Sequence, residues 1–129
     1  MVSGDGENRV SMLHAFRLYT GSDDASHVEE GTIEARLTTQ ALSVSFGESP
    51  PHSRLDWHNA PTRQFVITLS GTLEFKTRDG TTFTIRPGDV ILAEDTTGSG
   101  HTWRLIDDEP WRRAYVVLAP DTADIFTPR

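Results

Sequence analysis

The stretch Asp56-Trp57-His58-Asn59-Ala60-Pro61-Thr62-Arg63-Gln64-Phe65-Val66-Ile67-Thr68-Leu69-Ser70-Gly71 joins a cluster of polar groups to a strand signal. From Phe65 to Leu69 the residues are mostly β-branched or large and apolar, and Gly71 ends the run, which predicts a strand covered on both faces. Pro61 disfavours a helix across the corner that precedes it. Alternate side chains of a strand share a face, so Gln64, Val66 and Thr68 point one way and Phe65, Ile67 and Leu69 the other. The first face carries the polar groups. His58 lies before the Pro-containing corner, which sets its own strand beside Gln64, and the two are expected to look into one cavity.

Strand signals continue on either side. Leu42, Val44 and Phe46 alternate with Ser43 and Ser45, the pattern of a half-buried strand, and two consecutive prolines, Pro50 and Pro51, break it. Met12 to Thr20 alternates imperfectly and is open to a strand or a short helix, and a turn cluster follows at Gly21-Ser22-Asp23-Asp24. Beyond Gly71, Leu73 and Phe75 alternate with Glu74 and Lys76. Asp79-Gly80 then predicts a hairpin turn, because this pair tolerates positive φ. The return strand runs through Phe83 and Ile85, Arg86-Pro87-Gly88-Asp89 makes a second tight turn, and Val90-Ile91-Leu92 is a short apolar strand. A polar loop leads to His101, Trp103 and Leu105, which share a face, and a last strand passes through Tyr115 to Leu118. Many short strands punctuated by Gly and Pro, with no amphipathic helix among them, predict an all-β barrel or sandwich.

The chain has 129 residues, enough for one domain with a core of its own. Residues 1–9 are Gly-rich and acidic and are expected to be disordered, 10–118 form the β-barrel domain, and 119–129, with two prolines, form a C-terminal arm. The absence of cysteine excludes a disulfide scaffold and any thiolate metal site. Neither a signal peptide nor a membrane-spanning run is legible, so cytoplasmic residence without membrane association is expected. A net charge of -7 disfavours nucleic acid as a partner, since that affinity rests on Lys and Arg neutralising phosphates. The outward apolar set Phe65, Ile67 and Leu69 needs cover from a second sheet or another subunit, and a homodimer is expected.

In order and spacing these features resemble the cupin superfamily, small jelly-roll barrels. The first cupin motif carries His-x-His, then Glu, then Gly. Here His58 takes the first His place, Ala60 stands where the second His is expected, and Gln64, seven residues before Gly71, takes the Glu place. The second motif begins at Gly88; Glu94 holds its Pro place, and its His arrives two residues late as His101, the residues 95–100 loop absorbing the difference. The resemblance spans about Leu42 to Leu118 and implies a single-domain cupin-type jelly roll.

In metal-binding cupins three His and one Glu hold a divalent transition ion, so the resemblance implies His58, Gln64 and His101 as ligands of a Zn, Mn, Fe or Ni ion. Asp56, by strand parity with His58, is placed to supply the missing negative charge, and Glu94, Asp95 or His52 are further options. Without a metal, His58 and His101 form a proton-handling pair and Gln64 orients a substrate oxygen by hydrogen bonding. Asp56, Val66, Thr68 and Trp103 are the expected walls of the pocket for a small-molecule ligand, Trp103 sharing the face of His101. His14, His27 and His52 are read as surface or structural, and Arg63 as a surface or interface cation. Three functions follow: an enzyme of lyase, isomerase or oxygenase type, a non-catalytic metabolite- or sugar-binding pocket, and a structural barrel that only dimerises.

Overall fold

The computed structural model describes residues 12–129; the expected disordered segment, residues 1–9, lies outside the described residues. Eleven strands form two sheets among the described residues: β1 (Met12–Thr20), β2 (Ser26–Glu34), β3 (Ala41–Ser49), β4 (Arg54–His58), β5 (Gln64–Ser70), β6 (Leu73–Thr77), β7 (Thr82–Ile85), β8 (Val90–Ala93), β9 (His101–Leu105), β10 (Trp111–Leu118) and β11 (Phe126–Pro128). The larger sheet runs β11-β2-β1-β8-β5-β10-β3 and the smaller runs β4-β9-β6-β7. The molecule is a double-sheet jelly roll, the all-β architecture the strand spacing predicts. Met12–Thr20, open from sequence, is a strand that pairs antiparallel with β2 and parallel with β8. No helix among the described residues is long and apolar enough to cross a membrane.

The core lies between the sheets, where Leu18, Val66, Leu73, Phe75, Ile85, Ile91, Trp103 and Trp111 meet in one cluster. Strand parity explains this: on β5 Val66 faces inward beside Ile91, while Phe65 faces outward beside Leu92. The outward set is a second cluster of Ala15, Ile33, Phe65, Leu92, Leu118 and Phe126. The C-terminal arm thus returns to the body. Phe126 lies opposite Ile33 as β11 adds to β2 and brings its ring into that cluster. The arm covers only part of the outer face, for Leu69 remains 53% exposed.

Turn chemistry fixes the connections. In the β6–β7 hairpin Gly80 takes φ 87° and the Thr81 amide donates to Asp79 Oδ1, and before β8 Gly88 takes φ 93° while the Arg86 amide donates to Asp89 Oδ2. Core burial and surface apolarity should separate cleanly in denaturation. Leu73→Ala, at a fully buried site, is expected to lower the unfolding free energy by about 2–5 kcal/mol, and Leu69→Ala by within about 0.5 kcal/mol; urea unfolding midpoints of the two variants check this.

Candidate functional site

His58 ends β4, His101 opens β9, and the two are register partners in the β4–β9 ladder. The ladder places their ring centroids 4.4 Å apart. Gln64 opens β5, 6% exposed, and lines with both rings a cavity of about 380 Å³ between the sheets. The three residues selected by spacing therefore meet. Val66 and Trp103 line the same cavity, as expected, together with Phe75, Ile91 and Trp111.

Two expected pocket residues fall elsewhere. Between the register pairs Leu55–Trp103 and His58–His101, β4 has two residues, Asp56 and Trp57, where β9 has one, Thr102, a β-bulge that breaks the alternation on which the Asp56 placement rests. Leu55 and His58 both face the cavity, while Asp56 is exposed, accepts from the Trp57 amide through Oδ1, and borders a separate depression with Trp57, Glu74 and Lys76. Thr68 does face inward, but its hydroxyl accepts a hydrogen bond from Trp111 Nε1 at 3.2 Å and it does not line the cavity. The other options are engaged outside the cavity as well. Glu94 bridges Arg17 and Arg63, each at 2.5 Å, and exposed His52 pairs with Asp108 at 2.8 Å. His14 and His27 are paired with Glu30 and Asp23.

The residue that organises the site is Asp95, which is fully buried. Its Oδ2 accepts from His101 Nδ1 at 2.5 Å and from Ser26 Oγ at 2.7 Å, and its Oδ1 has no partner among the described residues. A buried carboxylate with so few partners binds the imidazole firmly, since its charge is otherwise uncompensated. His101 thus donates through Nδ1, which leaves Nε2 as the acceptor nitrogen for the cavity. His58 is fixed in the same tautomer by a different partner, the carbonyl of Asp56 at 2.7 Å from its Nδ1. Burial pushes the His58 pKa below its ordinary value of 6.5; the nearby His101 ring lowers it further, against the opposing pull of the Asp56 carbonyl and the Asp95 carboxylate.

The residues 94–100 loop holds this geometry. Asn59 Nδ2 donates to the carbonyls of Thr97 and Gly98, and the Ala60 amide donates to the Asp95 carbonyl, so the corner before β5 and the loop before β9 are tied together. Gly100 has φ 78°, and a Cβ there would lie 2.3 Å from the His58 carbonyl oxygen. Only glycine allows the loop to approach so closely. The sequence offered Asp95 only as a further option for a metal ligand; its place behind His101, six residues on, was hidden because Ser26, its other partner, comes from a distant strand. Arg113 and Tyr115, which also line the cavity, come from β10 and matched no motif.

Does this donor set suit a divalent ion? His58, His101 and Gln64 are all neutral, Ala60 supplies no donor, and the one buried carboxylate is spent on the Nδ1 side of His101. Among the described residues no group of three or more His, Asp or Glu side chains is placed to hold a metal ion. The set fits a divalent ion poorly, because the double charge would be buried without a facing carboxylate.

A jelly roll with paired imidazoles in its interior defines the class. Residues 45–117, more than half of the chain, match the family model described as Cupin domain, and the chain belongs to the cupin domain family. No curated protein matches it. Among solved structures, a DUF861 family protein of Thermotoga maritima is similar at 27% identity, covering 57% of this chain and 77% of that one with a TM-score of 0.48. A cupin domain of Bordetella pertussis is similar at 17% identity, covering 65% and 88% with a TM-score of 0.48. The cupin domain of Schizosaccharomyces pombe Cnp3 is similar at 15% identity, covering 89% and 88% with a TM-score of 0.47.

The direction of the His58 shift gives a pH signature. The folded chain holds His58 less readily protonated than the unfolded chain does, so it binds fewer protons in the window below 6.5 and loses stability as pH falls through it. A nuclear magnetic resonance titration of the imidazole carbons is expected to show a His58 midpoint below 6.5. A midpoint at or above that value would remove the burial argument.

Proposed function

We propose that the cavity is the site of a small-molecule enzyme in which His101, oriented by Asp95, and neutral His58 move a proton on a small metabolite, in chemistry of lyase or isomerase type. One observation carries this reading: the 2.5 Å contact of His101 Nδ1 with fully buried Asp95, inside a cavity whose remaining walls are largely apolar. A carboxylate behind an imidazole fixes the ring and stabilises the imidazolium that forms when Nε2 takes a proton. In the proposed step His101 Nε2 removes a proton from the ligand, and the Gln64 carboxamide donates a hydrogen bond to the oxygen on which negative charge develops. Return of that proton to a neighbouring carbon completes an isomerisation; its delivery to a departing oxygen completes an elimination. Either outcome regenerates the neutral imidazole. The poor fit of the neutral donor set to a divalent ion favours these reactions over the oxygenase option, and no step is assigned to a metal.

Supporting a second, independent proposal, that the chain forms a homodimer, is the position of β3 at the end of the larger sheet. Its Leu42, Val44 and Phe46 are exposed at 65%, 58% and 75%, an alternating apolar surface on an edge strand of the kind a second copy covers.

A metabolite extract incubated with the protein in deuterium oxide and followed by mass spectrometry tests the enzymatic reading. The wild type is expected to consume or deuterate a species that His101→Asn, which keeps an amide donor near Asp95 but no base, leaves alone or turns over about 10²–10⁴ times more slowly. Ligand-induced stabilisation with no species altered by either protein would favour the non-catalytic binding pocket. Elemental analysis after purification without chelator or affinity nickel is expected to find metal well below one equivalent; a full equivalent that disappears in Gln64→Ala would restore the metal-supported mechanism. For the dimer, light scattering at micromolar concentration is expected to return the mass of two chains for the wild type and of one for Val44→Lys.

A further inference from the structure

Five arginines of this chain, Arg17, Arg63, Arg104, Arg112 and Arg129, meet a glutamate. Arg113, half-buried on the cavity wall, meets none among the described residues. It is held by neutral groups instead: Nε donates to Tyr115 Oη at 2.8 Å, and Nη1 donates to Ser49 Oγ at 2.8 Å and to the Trp111 carbonyl at 3.0 Å. Its guanidinium carbon sits 4.1 Å from the centroid of the Trp111 ring. These contacts use the Nε hydrogen and both Nη1 hydrogens, so the two Nη2 hydrogens have no partner among the described residues. A cation fixed in position with two donors to spare is preorganised for an anion.

The surroundings are arranged around this side chain. Gly47 faces Arg113 across the β3–β10 ladder, and a Cβ there would lie 2.9 Å from Arg113 Nε and 3.2 Å from the Tyr115 ring. Glycine leaves the space that the guanidinium occupies. No Asp, Glu or Lys lines the cavity, so Arg113 is the one guanidinium or ammonium cation on its wall among the described residues. From Arg113 an aromatic wall leads to the imidazole pair: Trp111 lies 6.2 Å from Phe75 between ring centroids, Phe75 lies 5.7 Å from His101, and His101 lies 4.4 Å from His58. One end of the cavity therefore offers a positive charge, the middle offers apolar ring surface, and the other end offers bases.

We propose that the ligand of this site is a small monocarboxylate with an aromatic or otherwise apolar body, and that Arg113 is the residue that recognises its carboxylate. The proposal rests on the reading of the cavity as a ligand site, and it names the substrate class of that site. One guanidinium matches one negative charge. A phosphate dianion would bring a second charge into an apolar cavity of a chain with net charge -7, where nothing on the wall compensates it. A volume of about 380 Å³ lies at the small end of ligand pockets, which suits a single-ring acid.

The test uses the purified full chain and a homologous series of probes, benzoate, phenylacetate, 3-phenylpropionate and 4-phenylbutyrate, each beside its primary amide and the corresponding phenyl or phenylalkyl phosphate. Quenching of tryptophan fluorescence, reporting through Trp103 and Trp111, and isothermal calorimetry give the affinities. At least one carboxylate is expected to bind roughly ten- to a hundredfold more tightly than its amide. Arg113→Gln is expected to erase that preference while weakening the amide by no more than about tenfold, and the amide binding that remains shows that the cavity has folded. Should Arg113→Gln fail to fold, the carboxylate-to-amide ratio of the wild type decides alone. No carboxylate binding more tightly than its amide, an Arg113→Gln variant that keeps the preference, or phosphates that bind more tightly than carboxylates would each overturn the proposal. Binding alone is read in this test, which separates it from the catalytic reading: an Arg113-dependent preference for carboxylate would stand even if no turnover were found in the wild type, and turnover without that preference would overturn this proposal while leaving the catalytic one in place.

Discussion

One fully buried carboxylate sets the terms for the interior of this barrel. Asp95 has an imidazole and a hydroxyl on one oxygen and no partner on the other among the described residues. Such a charge is tolerated inside a protein only where its partners are held close, and withdrawing a partner leaves it uncompensated at a cost of several kcal/mol. The fold meets this demand through the loop that carries it. The Asp95 carbonyl accepts the Ala60 amide, Asn59 fastens the carbonyls of Thr97 and Gly98, and Ser26 reaches across from β2. His101 acquires its tautomer and orientation from this arrangement, and the β4–β9 register then sets His58 against it.

The cavity is polarised by the order of its strands. β9 and β4 bring the imidazoles to one side, and β10, which lies between β5 and β3 in the other sheet, brings Arg113 and Tyr115. Phe75, Trp103 and Trp111 fill the space between, their rings meeting edge to face across the two sheets. Burial acts on the two kinds of polar group differently. It keeps His58 neutral, in the form that accepts a proton, whereas the guanidinium stays charged and is supported by neutral oxygens and a tryptophan face. In the proposed reading, the cation, the apolar waist and the pair of bases describe the ligand between them. Membership of the cupin domain family fixes the scaffold and leaves that description to the site, because one scaffold serves unrelated chemistries.

Much of this was legible in the order of residues alone. The alternation of apolar and polar residues from Leu42 to Leu118, with Asp79-Gly80 and Pro87-Gly88 as punctuation, determined a β-sandwich, because strand period and turn chemistry are local properties. The resemblance of the spacing of His58 and Gln64 to Gly71, with His101 after the polar loop, to the cupin motifs implied that the three share one cavity. What the tertiary structure decided depended on non-local contacts. The β-bulge between Leu55 and His58 turned Asp56 outward, against the parity of an ideal strand, and packing against Trp111 closed Thr68 off from the cavity. The C-terminal arm became a strand because Phe126 found Ile33. Asp95 and Arg113 gained their surroundings only when β2, β3 and β10 came together around them, since what a buried carboxylate or guanidinium can do is set by the groups that surround it and by the water that folding removes.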